Sequence, residues 1–403
     1  MAVGKRAMKQ RVYLSALGIV NALGCGIDEV TLGLFAGDTG GMVLEEGWLT
    51  ANANTPARVG RARGALPEVP TAFDDLNCRN NRILLCALSQ IEDAVDDALT
   101  RYGRARIGVV LGSSTTGMAE GEAAIAAHHA NGALPPGYNY LQQEIGMPAV
   151  FLARYLGLGG PAYTVCTACT SSAKAFVSAR NLLRHGFCDA VLVGGVDSLC
   201  RITINGFTSL ESTTTELTNP MSRNRRGINI GEGAALFLMS GEEAAIELIG
   251  VGESSDAYHM SAPHPDGLGA ELAMRAALFD AGLAASAIDY LNLHATATPK
   301  NDEMESRAVS RVFPEGIACS GTKPLTGHTL GAAGATELAF CWMALQSGRL
   351  PPHIWDGQAD LDLPQLDLVG AGRKFVRGAE RVCMSNSFAF GGSNASLLIA
   401  DYQ

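Results

Sequence analysis

The segment YTVCTACTSSAK (163–174) sets Cys166 and Cys169 in a C-x-x-C spacing, and that spacing fits three chemistries. It suits a redox dithiol, half of a zinc site, or a single nucleophilic sulfur with a bystander. A structural zinc site takes about four ligands, and no second C-x-x-C follows in this chain. A thioredoxin-like dithiol has Trp or Pro beside it, and TVCTACTSS has neither. Position separates the two sulfurs. Cys166 ends an apolar strand, where a side chain is expected to be buried and inert. Cys169 falls in the turn before a helix of small residues, where unpaired N–H groups and the positive end of the dipole favour a thiolate. Ala168, Thr170, Ser171 and Ser172 let the backbone approach a substrate closely.

A nucleophile needs companions, and the second half of the chain supplies them. HATATP (294–299) puts His294 at the end of a strand, with Thr296 and Thr298 in the loop beyond. GTKPLTGH (321–328) adds Lys323 and His328 just before another helix. Most of the eight histidines are expected to be solvated or plain core imidazoles. These two stand in strand-to-helix turns, and neutral imidazoles donating N–H suit a carbonyl oxygen that is becoming an enolate. Lys323 holds charge beside them, with Glu305 as its expected carboxylate partner. The loop SNSFAFGGSN (385–394) offers backbone N–H groups whose glycines permit close approach. No phosphate-cradling G-x-x-x-x-G-K-[ST] occurs.

These groups have to be positioned by an α/β scaffold. Apolar β-rich runs (RIGVVLGSS, AYTVC, AVLVGGV, AALFLM, DYLNLHA) alternate with helical patterns such as GAELAMRAALFDAGL and EMESRAVSRVF. RVCMSNS and NASLLIADY read as a hairpin-like return at the end. ACTSSAKAFVSARNLLRHG and GHTLGAAGATELAFCWMALQSG echo each other, which predicts a duplicated unit whose equivalent helices meet centrally. VGG (193–195) and FGG (390–392) are read as glycine-punctuated strands near them. At 403 residues, 47% apolar and 17% charged, the chain builds a large core. The net charge of −10 argues against a nucleic-acid footprint. Ten cysteines, mostly inside apolar runs, fit a reducing cytoplasm rather than a disulfide framework. MAVGKRAMKQR before VYLSALGIVNALG has the outline of a signal peptide, but continuous patterning into IDEVTLGLFAG favours an entry strand and a helix from Ile27. No apolar stretch reaches membrane-spanning length without polar interruption.

Together these segments resemble the decarboxylating β-ketoacyl–acyl-carrier-protein synthases of the I/II type, elongating condensing enzymes of the thiolase superfamily. YTVCTACTSSA resembles their nucleophile segment, LHATATPKNDEME their HGTSTP-x-x-D segment, and SGTKPLTGHTLGAAG and SNSFAFGGSNASLL the two remaining signatures. SSDAYHMSAP and NRRGINIGEGAA accompany them. The resemblance implies a five-layer α-β-α-β-α architecture in two thiolase-like halves. Residues 1–248 would carry the nucleophile, and 249–403 the histidines and lysine. It implies that Cys169 takes an acyl chain from a thioester, and that a malonyl thioester then loses carbon dioxide and attacks it. His294 and His328 would stabilise the enolate, with Lys323 and Glu305 positioning them. The N–H groups of Cys169 and Phe390 would form an oxyanion hole, with Phe388, Phe390 and Gly391 in the gate. Thr296 and Thr298 would line the phosphopantetheine arm that the substrates carry; no metal or organic cofactor is implied.

The expected partners are acyl carrier protein, acyl and malonyl thioesters, and a second synthase-like subunit in a homodimer or heterodimer. Arg79 and Arg82 in CRNNR, three apart on one helix face, match the family's carrier-docking helix. The segment 139–157 is a candidate acyl-pocket lining and dimer contact by family position. HATAT and FAF depart from the usual HGTST and FGF at Ala295, Ala297 and Ala389, and RNRRG is unusually arginine-rich. The departures suggest a divergent member, and some divergent members serve pigment, aryl polyene or polyketide assembly. A degradative thiolase would need a second cysteine in the last glycine-rich loop, which has none. An initiating synthase would show Cys-His-Asn. A non-catalytic, chain-length-determining partner would usually lack the cysteine.

Overall fold

The computed structural model describes residues 10–51 and 54–401. The basic stretch 1–9 lies outside them; Tyr13–Asn21 is a strand and Ile27–Ala36 a helix, as the patterning predicts. Ten strands carry the duplication. The first half contributes β1 Tyr13–Asn21, β2 Ile107–Gly112, β3 Ala162–Val165, β4 Ala190–Asp197 and β5 Gly233–Ser240. The second contributes β6 Ile246–Ser255, β7 Tyr290–Leu293, β8 Ala318–Gly321, β9 Val382–Phe388 and β10 Ser393–Asp401. Their spatial orders are β3-β2-β4-β5-β1 and β8-β7-β9-β10-β6, so each strand has its counterpart five numbers on. The two sets join where β1 meets β6 at Tyr13 and Glu247. Since β6 opens the second repeat, the changeover lies in the turn 241–245, and a division at 248 cuts into a strand. FGG belongs to the loop between β9 and β10 rather than to a strand.

The layers follow from which face each side chain takes. Successive strand residues point to opposite faces, and in β4 Val191 and Val193 join the central core while Ala190 and Leu192 join an outer one. Both faces are buried, so these strands read as unbroken apolar runs rather than alternating ones. Helices Ser171–Arg184 and Ala333–Ser347 pack against each other in the central layer. The second is apolar around nearly its whole circumference, as a helix covered on all sides must be. Phe176, Phe237 and Phe340 fill this layer, the first two edge to face at 5.3 Å. Helices Arg79–Leu88 and Met147–Leu156 cover the first sheet, and Leu268–Ala281 and Pro299–Val312 the second. This is the α-β-α-β-α arrangement.

Two glycines let the central helices sink onto the first sheet. A Cβ at Gly112 would lie 2.1 Å from the Ser172 nitrogen, and one at Gly195 2.8 Å from the Ala332 Cα. Both helix starts therefore lie directly on backbone, at the carboxyl ends of β2 and β4. The halves differ at their outer edges. Strand Asp367–Leu368 pairs with β8, whereas β3 has no outer neighbour among the described residues.

Candidate active site

Cys169 stands where β3 gives way to helix Ser171–Arg184. The turn is tight enough to hold Ala168 at φ 52°, a left-handed conformation that costs a non-glycine residue about 1 kcal/mol. Ser171 Oγ accepts from the Thr167 N–H at 2.9 Å and donates to the Ala168 carbonyl, tying the turn shut. The sulfur is 3% exposed and lies 3.0 Å from His328 Nε2. Cys166 is the exposed one, since β3 is an edge strand, and the expectation of a buried, inert Cys166 fails for that reason.

His328 is held by backbone. Its N–H donates to the Asn229 carbonyl at 2.7 Å and its carbonyl accepts from Gly231 N–H at 2.9 Å, so the GINIGEG segment grips it like a neighbouring strand. His294 follows β7, and its ring meets that of His328 edge to face at 5.4 Å. Donor atoms of Cys169, His294 and His328 all lie within 4.8 Å of one another. A soft metal ion uses the same donors, but the Lys323 ammonium, 3.3 Å from His294 Nδ1, opposes a cation there. An ammonium only donates, so Nδ1 accepts and a neutral His294 carries its proton on Nε2. Burial and then the Lys323 charge hold both imidazoles well below their usual range, so both are neutral.

Lys323 is paired with Glu337, not Glu305. Its ammonium lies 2.5 Å from Glu337 Oε1 and also donates to the His294 carbonyl. Glu305 instead accepts from the N–H groups of His294 and Ala295, each at 2.7 Å, and so fixes the backbone that carries His294. The sequence held a signal for Glu337: it is the one charged residue in the helix AGATELAFCWMALQS, and a charge on an otherwise apolar buried helix requires a partner. Burial pushes the Glu337 carboxyl up to about 7, with the Lys323 charge opposing.

The helix position was expected to lower the Cys169 thiol, and the structure reverses this. Burial pushes it up to about 11, against the Lys323 charge and the N–H groups of Phe390 and of Cys169 itself. Those two N–H groups both face the sulfur. Phe388 is buried beside His294, with ring centroids 6.1 Å apart. Phe390 meets Phe207 edge to face at 5.3 Å, and Gly391 bonds through its N–H to the Met260 carbonyl at 2.8 Å.

A cavity of about 330 Å³ opens onto this cluster, lined by Cys169, His294, His328, Thr296, Thr298 and Phe390 among others. The sulfur is thus buried yet reachable from the cavity. No residue of 139–157 lines it. Ala295 and Ala297 adopt φ 42° and 61° where glycine would be unstrained. The Ala295 methyl has room because Gly321 opposite has no side chain; a Cβ there would lie 2.3 Å away.

Arg79 and Arg82 do not form one free basic face. Arg79 is engaged by the fully buried Glu232, at 2.8 and 2.5 Å, and Arg82 by Glu68 at 2.5 Å and the Pro67 carbonyl at 3.1 Å. An unpaired Glu232 would leave a buried charge, so Arg79 is committed internally. In RNRRG, Arg225 pairs with Asp360 and Arg226 with Glu216.

Residues 71–245 match the family model described as Beta-ketoacyl synthase, N-terminal domain, and 245–355 its C-terminal counterpart. The 3-oxoacyl-[acyl-carrier-protein] synthase 2 of Vibrio cholerae is 31% identical over 97% of this chain and 99% of its own. The chain belongs to the β-ketoacyl synthase family. Among solved structures, the ketosynthase ApeO in complex with its chain length factor ApeC from Xenorhabdus doucetiae superposes with a TM-score of 0.93, at 44% identity, over 98% of this chain and 99% of that one. Nodulation protein E of Rhizobium meliloti is 39% identical over 60% of this chain and 62% of its own length. The Cys169–His294–His328 cluster is the Cys-His-His triad of a condensing enzyme in this family, on the thiolase fold.

Proposed function

We propose that the chain is an elongating β-ketoacyl–acyl-carrier-protein synthase, the catalytic member of a pair with a synthase-like subunit, working in polyene- or polyketide-type assembly. The observation that carries this is the Cys169 sulfur at 3.0 Å from a neutral imidazole, with a second imidazole facing it, in one cavity. As an acyl thioester enters, the Cys169 proton passes to His328 Nε2 and the sulfur attacks the carbonyl. The oxyanion forms toward the N–H groups of Cys169 and Phe390, and the carrier thiol leaves with a proton. A malonyl thioester then takes its place, with Thr296 and Thr298 beside its pantetheine arm. Loss of carbon dioxide leaves an enolate whose oxygen accepts from the His294 Nε2–H and, once the single proton of neutral His328 has moved from Nδ1 to Nε2, from His328 as well. Its carbon attacks the acyl-enzyme, and collapse returns the Cys169 thiolate and a product longer by two carbons. No step draws on a metal or organic cofactor.

The pathway assignment rests on the likeness to ApeO, itself in complex with a chain length factor. The open edge of β3 gives a related subunit a place to pair. Free thiols at all ten cysteines suit the cytoplasm, and no helix among the described residues is long and apolar enough to cross a membrane. The test is mass spectrometry of products from saturated and unsaturated acyl carriers with malonyl-carrier as extender. One carbon dioxide per two-carbon extension is expected. No extension of any donor, with or without a partner subunit, would assign the chain to the non-catalytic partner role.

A further inference from the structure

Cys25 and Cys86 are far apart in sequence, yet their sulfurs stand 3.0 Å apart, and neither belongs to the catalytic cavity. The fold brings them together through backbone contact. Gly18 of β1 lies directly on helix Arg79–Leu88, where a Cβ would meet the Ala87 carbonyl oxygen at 1.9 Å. Gln90 fixes the junction. Its Oε1 accepts from Ile19 N–H at 2.9 Å, and its Nε2 donates to the carbonyls of Ile19 and Cys86 and, at 3.7 Å, to the Cys25 sulfur. Cys25 is partly exposed and Cys86 is buried. The arrangement has the two parts of a thiol redox pair, one sulfur an oxidant reaches and a second held against it.

We propose that Cys25 and Cys86 form a reversible, hydroperoxide-driven disulfide that staples the outer helix Arg79–Leu88 to the sheet. The Cys25 thiolate attacks one peroxide oxygen, the O–O bond breaks, and water leaves after proton uptake, giving a sulfenic acid. The Cys86 sulfur then attacks the Cys25 sulfur, expelling hydroxide, which takes up the Cys86 proton as a second water. Two thiols are oxidised and one peroxide is reduced. The sulfurs need approach by only about 1 Å to reach the S–S bond length of about 2.05 Å. Burial, and then the neighbouring Cys25 sulfur, push the Cys86 thiol up to about 12, so it stays protonated until the second step and gives up its proton to the departing hydroxide as it attacks, a step that contact with its target makes accessible. Other cysteines lack this combination. Cys341 and Cys383 also face each other, but both are fully buried in the central core, and the exposed Cys166 has no sulfur partner among the described residues.

The test uses the reduced full chain, an equimolar amount of hydrogen peroxide, alkylation of remaining thiols, and peptide mapping without reductant. The expected product is a Cys25–Cys86 linked peptide, lighter than the sum of the two by two hydrogens. It should form while Cys169 is still alkylatable, be reversed by dithiothreitol and be absent in Cys25→Ser. The oxidised protein should melt a few degrees higher, with condensation unchanged. Recovery of Cys25 and Cys86 as separate peptides, or loss of Cys169 before any link forms, would overturn the proposal.

Discussion

At the scale of single residues, the site depends on buried charge being partnered. Lys323 and Glu337 are 3% and 4% exposed at the side chain. Removing one partner of such a pair costs about 3–5 kcal/mol, so Glu337→Gln should lower stability by that order in denaturant titration. Glu305→Gln loses one of two backbone acceptors and should cost about 1–3 kcal/mol. The reverse order would restore Glu305 as the lysine's partner. Cys169 gives a pH signature. Alkylation needs the thiolate, and burial pushes this thiol up to about 11. Iodoacetamide labelling of the resting enzyme should therefore climb about tenfold per unit from pH 8 to 10. A plateau near neutrality would mean a preformed thiolate–imidazolium pair. Which residues react was readable from type and position; for the lysine's carboxylate the sequence offered only the lone charge of Glu337 in an apolar helix, because the pairing itself depends on how the second-half helices pack.

At the scale of elements, the nucleophile and histidine turns are set by what lies beneath them. Gly195→Ala would place a methyl 2.7 Å from the Ser172 Cβ and 2.8 Å from the Ala332 Cα, wedging both central helices off the sheet. It should cost about 1–3 kcal/mol, read as a lower denaturation midpoint, together with a loss of kcat/KM. Asp197 at the end of β4 stitches the same region. It accepts from Ser114 and Thr115 N–H at 2.7 Å, from the Ser113 and Thr115 hydroxyls, and from Ala332 N–H at 2.9 Å. Asp197→Asn turns donors toward donors, and should cost about 1–3 kcal/mol and slow condensation by loosening the segment behind His328. The element pattern was legible because apolar runs and helical periods are local. The strand IELIGVGESS and the helix MAEGEAAIAAHHAN were not drawn from it, the first for its glycine and acidic residues and the second for its weak amphipathic pattern.

At the scale of the whole molecule, duplication explains why half the site comes from each end of the chain: two equivalent helices meet centrally and bring Cys169 and His328 to one cavity. The echo between the two helix segments showed this in the sequence. The ion pairs of Arg79 with Glu232 and of Arg82 with Glu68 were not legible, because they depend on tertiary packing. The unpaired β3 edge predicts association through that strand, so sedimentation should find an oligomer, with Cys166 shielded from alkylation once it forms. A monomer with freely reacting Cys166 would contradict that. The most direct test of the account is intact-mass measurement after incubation with an acyl-carrier donor. A gain of one acyl group, absent in Cys169→Ala and discharged by malonyl-carrier with loss of carbon dioxide, is the predicted result. No gain, or a gain that survives Cys169→Ala, would contradict it.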